Sequence, residues 1–300
     1  QLPPPAATSK VRQLLRHMLV AVDASYESVT QAKALLSAPN AGVSSITLLH
    51  VIPTTQFSSS AKGNEKKVEA RTILNTAKEA FEDVLNCAIS ERLEEGDPKT
   101  TVLKVADEVD ASLIVMGGRG MNRLMAILKN SVSQYVFQLS TRPMVIVRQG
   151  MLTSKLYRVM VAIDGSEASN QALRIGMDLL RGASGSQLLL ARVVSGRSAA
   201  SYQQLPENPD KDDDVLAAAI AQVKAQNIPY RAYFNLGDPG REIALLTGET
   251  GADLLVMGSP DRRPSIAKNL PDLERLLGNS VSDYVRVNAQ CPVLLTRPQG

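Results

Sequence analysis

The residues of this chain best suited to chemistry form a glycine run, Gly117-Gly118-Arg119-Gly120, followed after nine residues by Asn130-Ser131. Glycines let backbone N–H groups come close to a phosphate. A helix opening at Asn130-Ser131 would turn its unsatisfied N–H groups and positive dipole end toward an anion. Ser131 and Ser133 add hydroxyl donors, and together these groups describe a cradle for a di- or triphosphate. Gly-x-x-Gly alone reads more simply as tight turns, with Asn130 as a helix cap; the spacing and the preceding apolar strand favour the phosphate. Other chemistries find less support. Cys87 and Cys291 stand alone, with no C-x-x-C or Cys/His cluster for zinc, and read as small buried hydrophobes. Catalysis would need a poised base or nucleophile. His17 precedes a strand, and His50 becomes Arg192 at the matching place further on, so neither is assigned a catalytic role.

That matching place exists because the chain is written twice. Val22-Asp23-Ala24-Ser25 returns as Ile163-Asp164-Gly165-Ser166, Gly96-Asp97-Pro98 as Gly237-Asp238-Pro239, and Ile114-Val115-Met116-Gly117 as Leu255-Val256-Met257-Gly258. The offsets 164 − 23, 237 − 96 and 258 − 117 are all 141. Asn130-Ser131-Val132-Ser133 returns as Asn279-Ser280-Val281-Ser282, and Pro143 as Pro292, both at an offset of 149. Five anchors in one order mark a tandem duplication, with about eight extra residues between Gly258 and Asn279 in the second copy. The expected organisation is a Pro-rich segment over 1–15, a first domain over 16–148, a linker over 149–156 and a second domain over 157–300.

Each copy alternates strand and helix. Residues 17–22 and 45–52 are continuous apolar runs of strand length, as expected of strands buried on both faces. The first ends in Asp-x-Ser, able to cap the helix that follows. Residues 65–85 carry apolar side chains at helical spacing. Residues 87–94 look helical by propensity, but their counterpart 228–234 is strand-like, and the repeat overrides propensity there. A short helix follows Gly96-Asp97-Pro98 to about Val109, with Pro just inside its start. Residues 113–116 form a fourth strand, 131–139 a helix and 143–147 a last strand, whose leading Pro143 predicts an edge or terminal place. The order implies a parallel sheet with helices on both faces. Ligands of such sheets sit beyond the carboxyl ends of the strands, where Asp23, Val51 and Met116-Gly117 converge.

Composition narrows the partners. Hydrophobic residues make up 44% of the chain, too many for bulk disorder. Thirty-three basic and thirty acidic residues are too balanced to predict nucleic-acid or anionic-membrane binding. Aromatics are 4% with no Trp, against base-stacking platforms. No apolar stretch approaches the ~18 residues of a membrane span. Residues 1–10 lack the apolar core of a signal peptide, so a reducing, cytoplasmic setting is expected.

With these motifs in place, the chain resembles the universal stress protein family in its tandem two-domain form, over 16–148 and 157–297. The resemblance rests on the Val/Ile-Asp-x-Ser strand end, the Gly-Asp-Pro turn, the Leu/Ile-Val-Met-Gly strand end, the Gly-x-x-Gly-x9-[Gly]-Ser motif and the closing Pro-led strand. It implies two tandem, open, parallel five-stranded sheets flanked by helices, each in the order 3-2-1-4-5. Their fifth strands would pair across a pseudo-twofold. It also implies ATP binding. Ala21, Val22 and Asp23 would face the nucleotide, with the Asp23 carboxylate near ribose or a phosphate-bound Mg2+. Val51 would meet the adenine edge through its backbone, Met116 and Gly117 would lie by the sugar, and Gly120, Asn130, Ser131 and Val132 would hold phosphates. The second-half counterparts are Ile163, Asp164, Val193, Met257, Gly258, Asn279, Ser280 and Val281. For Asp23 and Asp164 the simpler alternative is helix capping.

Two departures stand out. The family's second-loop glycine is Asn130 here and Asn279 in the second copy, and Asn tolerates left-handed backbone. After Gly258 the chain reads Ser259-Pro260-Asp261 in place of Gly-x-x-Gly. An aspartate there repels phosphate and a proline removes a donor, although Arg262, Arg263 and Lys268 are candidate charge partners. The first copy is therefore the better ATP site. The leading reading is an ATP-responsive stress or signalling protein whose protein partners the sequence does not name, with two chains able to form a homodimer. The alternatives are a slow ATPase or phosphotransferase, and a dimerisation module binding AMP, cyclic AMP or nothing.

Overall fold

The computed structural model describes residues 9–42, 44–54, 60–84, 87–118, 132–151, 153–195, 207–259 and 281–297. Apolar runs become strands wherever both faces are covered. In the first repeat these are β1 (His17–Ala21), β2 (Ser44–Pro53), β3 (Cys87–Gly96), β4 (Leu113–Gly117) and β5 (Met144–Val147). In the second they are β6 (Arg158–Ile163), β7 (Gln187–Val194), β8 (Tyr230–Leu236), β9 (Leu254–Gly258) and β10 (Val293–Thr296). All ten join one sheet in the order β3-β2-β1-β4-β5-β10-β9-β6-β7-β8. Each half is parallel and has the expected 3-2-1-4-5 order. The halves meet antiparallel, Val145 opposite Leu294 and Met144 opposite Leu295, which is the expected pairing of fifth strands.

Helices cover both faces. One face carries α1 (Lys10–Leu14), α2 (Glu27–Leu36), α3 (Ser60–Glu79), α6 (Glu167–Leu180) and α8 (Asp214–Ala225), over a core that includes Met18, Val20, Leu113, Val159 and Leu188. The other carries α4 (Pro98–Glu108), α5 (Val132–Leu139), α9 (Pro239–Thr250) and α10 (Val281–Asn288), over Leu19, Ile114, Ile146, Leu255 and Leu295. A one-turn helix, α7 (Pro209–Asp212), leads into α8. Alternate strand residues feed alternate cores, which is why the strands show no apolar–polar alternation. Among the described residues no helix is long and apolar enough to cross a membrane.

The halves also meet away from the sheet. Asp178 on α6 is 6% exposed and accepts from the Lys10 N–H at 2.8 Å and the Ser9 hydroxyl at 3.1 Å, while Asn40 Nδ2 donates to the carbonyls of Asp178 and Arg181. Residues 9–14, from the segment read as N-terminal to the first domain, thus pack on the second repeat.

Three expectations need correction. Helix α3 ends at Glu79 rather than near 85, because the chain tightens into i→i+3 bonds at Phe81, Glu82 and Val84, and Phe81 turns into the core. Pro143 does not mark a sheet edge. It sits one residue before β5, so its missing N–H costs no ladder bond, while its carbonyl accepts from the Ile114 N–H at 3.1 Å. And Asp23-Ala24-Ser25 does not cap α2: Tyr26 precedes that helix at φ 55 with no side-chain cap. In the second repeat the cap forms, Ser166 Oγ accepting from the Ser169 N–H at 3.1 Å. The cause is Gly165, which takes φ +85; its counterpart Ala24 lacks that freedom, and the left-handed residue moves to Tyr26.

Candidate functional site

The carboxyl ends of β1, β2 and β4 and the start of α5 enclose a cavity of about 450 Å³. Ala21, Val22, Asp23, Val51, Met116, Gly117 and Val132, the described site residues expected in the first repeat, all line it. Gly120, Asn130 and Ser131 lie outside the described residues. Asp23 Oδ1 accepts from the Ser25 N–H at 2.8 Å, which fixes the carboxylate in the turn after β1. It therefore binds its own turn rather than the helix end. Ser28 Oγ donates to the Ala21 carbonyl at 2.7 Å, holding the start of α2 to the end of β1.

Several lining residues were not expected. His50 places Nδ1 2.9 Å from the Val22 carbonyl oxygen; since a carbonyl only accepts, Nδ1 carries the proton. Lys66, Glu69, Ala70 and Ile73 of α3 form one wall. Their spacing of three, four and seven residues puts them on one helix face, a signal present in the sequence. Lys66 and Glu69 pair at 3.1 Å, with side chains 47% and 62% exposed. Such a pair is worth little, so Lys66 is easily recruited by a stronger anion. Pro98 and Val102, at the start of α4 behind the Gly-Asp-Pro turn, complete the opposite wall. The floor is apolar and the rim carries Asp23, His50, Lys66, Glu69 and Ser133, the usual make-up of a small-molecule site.

In the second repeat Ile163, Asp164, Val193, Met257 and Gly258 sit at the corresponding carboxyl ends of β6, β7 and β9, and Val281 begins α10. Asn279 and Ser280 lie outside the described residues. Here the rim is packed against the chain's own side chains. Arg192, the counterpart of His50 (192 − 50 = 142), sets Nε 3.2 Å from both carboxylate oxygens of Asp213. Asp213 is 3% exposed and caps α8 by accepting from the Leu216 N–H at 2.7 Å. Its counterpart at the same offset is Arg71. Val215 lies against Gly165, a Cβ on which would stand 3.1 Å from a Val215 methyl. The counterparts of that pair, Ile73 and Ala24, are walls of the first cavity. Burial would push the Asp164 carboxyl up, but hydrogen bonds from Ser166 and Ser169 and the Arg192 charge hold it below the ordinary carboxylate value.

The profile of the Universal stress protein family matches twice, over residues 15–148 and 156–297. The chain belongs to the universal stress protein family. Universal stress protein YxiE of Bacillus subtilis is 33% identical over 152 residues, covering 45% of this chain and all of YxiE. The crystal structure of a universal stress protein from Archaeoglobus fulgidus shares the tandem fold, with a TM-score of 0.72, 24% identity, and 96% and 98% of the two chains covered. A shorter family protein of Arabidopsis thaliana, solved with AMP bound, covers 48% of this chain and 92% of its own at 19% identity and a TM-score of 0.34.

Proposed function

We propose that this universal stress protein binds an adenine nucleotide, ATP with Mg2+, in the crevice of its first repeat, and that occupancy alters its shape or its choice of protein partner. The observation that carries the reading is the single cavity at the ends of β1, β2 and β4, lined by every described residue assigned to the first site. Its size falls within the ~300–1,000 Å³ of small-molecule sites. The apolar floor suits a base, and the Asp23 carboxylate at the end of β1 suits a ribose hydroxyl or a phosphate-bound cation. Mg2+ is normally held by one or two carboxylates plus phosphate oxygens, and Asp23 and Glu69 are the carboxylates at this rim. When bound, the ion neutralises phosphate charge. Lys66 would serve the phosphates from the α3 side and the glycine run with Asn130-Ser131 from the other.

We assign the second crevice no ATP, because Arg192 and Asp213 already satisfy each other there. We keep the domain division at 16–148 and 157–300 with 149–156 as linker, and the cytoplasm as the working compartment. No turnover is assigned: His50 Nδ1 is held by the Val22 carbonyl, and His50 has no counterpart histidine in the second repeat, where Arg192 stands.

Mass analysis of nucleotide released from denatured protein, with calorimetry of Mg-ATP, tests the reading. The expected result is a single nucleotide per chain and, for Asp23→Ala, affinity lower by about tenfold or more, the worth of one hydrogen bond to a charged group. Neither released nucleotide nor heat on adding Mg-ATP would sink it; release of AMP or cyclic AMP would reassign the ligand.

A further inference from the structure

The first crevice is completed by a residue of the second repeat. Helix α5 is two turns long, and its first residues, Val132 and Ser133, line the cavity. A helix that short does not hold itself in place; its position is set by what grips it. Arg297, directly after β10, is 7% exposed. It crosses the seam and donates through Nη2 to the Phe137 carbonyl at the far end of α5. Its guanidinium lies over the Phe137 ring at 4.2 Å, and Nη1 donates to Ser259 Oγ at 3.3 Å. The carbonyl ends of a helix are its unsatisfied, negative pole, where a cation is favourable. Only a planar fork can bond one carbonyl, one hydroxyl and a ring face together.

The grip is reciprocal. Arg148, at the matching place after β5 (297 − 148 = 149), donates through Nη1 to the Val287 carbonyl of α10. Its reach is into the second repeat, where Val281 at the start of α10 is 37% exposed. The two arginines therefore perturb the seam alike but act on different helices, and only one of those helices borders the cavity.

We propose that Arg297 is a positioning residue of the first repeat's nucleotide site, fixing α5 so that its N-terminal turn meets the phosphate end of the ligand. This rests on the reading of that crevice as a nucleotide site. The test is calorimetry on the full chain with Mg-ATP and with adenosine, which lacks phosphates. Arg297→Gln should weaken Mg-ATP about tenfold, as expected when the binding-competent position of α5 becomes a minor state, and leave adenosine within about twofold. Arg297→Lys should recover only part of the loss, because it restores charge without the fork. Arg148→Gln should leave both ligands at wild-type affinity. Wild-type ATP affinity in Arg297→Gln overturns the proposal. So does an equal loss for ATP and adenosine, or an equal loss in Arg148→Gln, since either would mark a general loosening of the seam. Should Arg297→Gln fail to fold, Arg297→Lys carries the same comparison, and unchanged ATP affinity there overturns the proposal. If the wild-type chain binds neither ligand, the nucleotide reading has failed, and that outcome is seen without any variant.

Discussion

Gly117 and Gly258 occupy the same position in the two repeats, yet alanine should be accepted at one and not at the other. A Cβ built on Gly258 would stand 2.6 Å from the carbonyl carbon of Ala168, 2.7 Å from its Cβ and 2.8 Å from its oxygen. Two of those three atoms are backbone, so no rotamer change relieves the clash, and removing the Ala168 methyl would relieve only part of it. Reaching an ordinary contact of 3.4 Å requires α6 to retreat from β9 by about 0.8 Å, the difference between 3.4 and 2.6. That retreat is resisted, because ten of the fourteen residues of α6 are buried and close-packed interiors transmit such shifts. Overpacking of this kind costs about 2–3 kcal/mol, which for a chain of this size lowers Tm by roughly 3–5 °C. A Cβ on Gly117 meets only Asp23 Oδ2, at 3.4 Å. There the reduced freedom of the unfolded chain should leave stability unchanged or raised by up to about 1 kcal/mol. Thermal and urea unfolding of Gly117→Ala and Gly258→Ala, each against wild type and without nucleotide, measures the difference. Equal shifts in the two variants, or a loss below about 1 kcal/mol in Gly258→Ala, would refute the claim that α6 closes directly on the second crevice.

Asp213→Ala removes both the cap of α8 and the partner of Arg192, and should cost about 3 kcal/mol in urea unfolding; Asp213→Asn, which keeps an acceptor for the Leu216 N–H but not the charge, should cost less, and equal losses would show that the cap adds nothing beyond the ion pair. Burial pushes the Cys291 thiol up to about 12, while Cys87, half-buried, is raised by burial alone. Iodoacetamide at about pH 8, where a free thiol begins to ionise, should therefore label Cys87 and spare Cys291 in the folded chain, and equal labelling would contradict the packing around β10. The same shift makes stability fall as pH rises from about 9 toward about 12, because only the unfolded state ionises in that window; Cys291→Ala should flatten that limb of the profile.

Much of this architecture could be read before any coordinates, and the reason is redundancy. Residues 87–94 are the clearest case. Taken alone they favour a helix, yet their partner 228–234 reads as a strand, and both form outer strands paired to β2 and β7. A repeat supplies a second, independently drifted sequence for one backbone, which tests local propensity against tertiary need. Where the copies diverge, that test is lost. Ala24 against Gly165 looks like a neutral exchange, but it decides which residue turns left-handed and whether the following helix is capped. The α3 wall escaped notice for a different reason. Lys66 and Glu69 lie on an ordinary charged helix face, and nothing in the sequence says that this face looks into a cavity. Arg192 and Asp213 are 21 residues apart and belong to no motif. Their pairing is visible only once β7 and the start of α8 are side by side.

The divergence between the repeats is confined to one level of the fold, and this bears on why the second copy matters to the first. At the seam the plan is kept: β5 and β10 pair, and Arg148 and Arg297 each cross to a carbonyl near the end of the other repeat's last helix, although their remaining partners differ. Above it, the counterparts 50 and 192, 71 and 213, and 24 and 165 have all changed, and the second rim has become packed against its own chain. A lone first repeat would expose the edge of β5, a ready template for unwanted pairing, and would leave α5 without the cation at its carbonyl end. Both needs are met by any partner that supplies a matching fifth strand and arginine, whether or not that partner has an open crevice of its own. Linking such a partner in one chain makes its docking intramolecular, at an effective concentration set by residues 149–156 rather than by expression level. On the proposed reading, the second repeat can therefore give up a nucleotide site while retaining the strand pairing and the arginine contact through which it would position the site of the first.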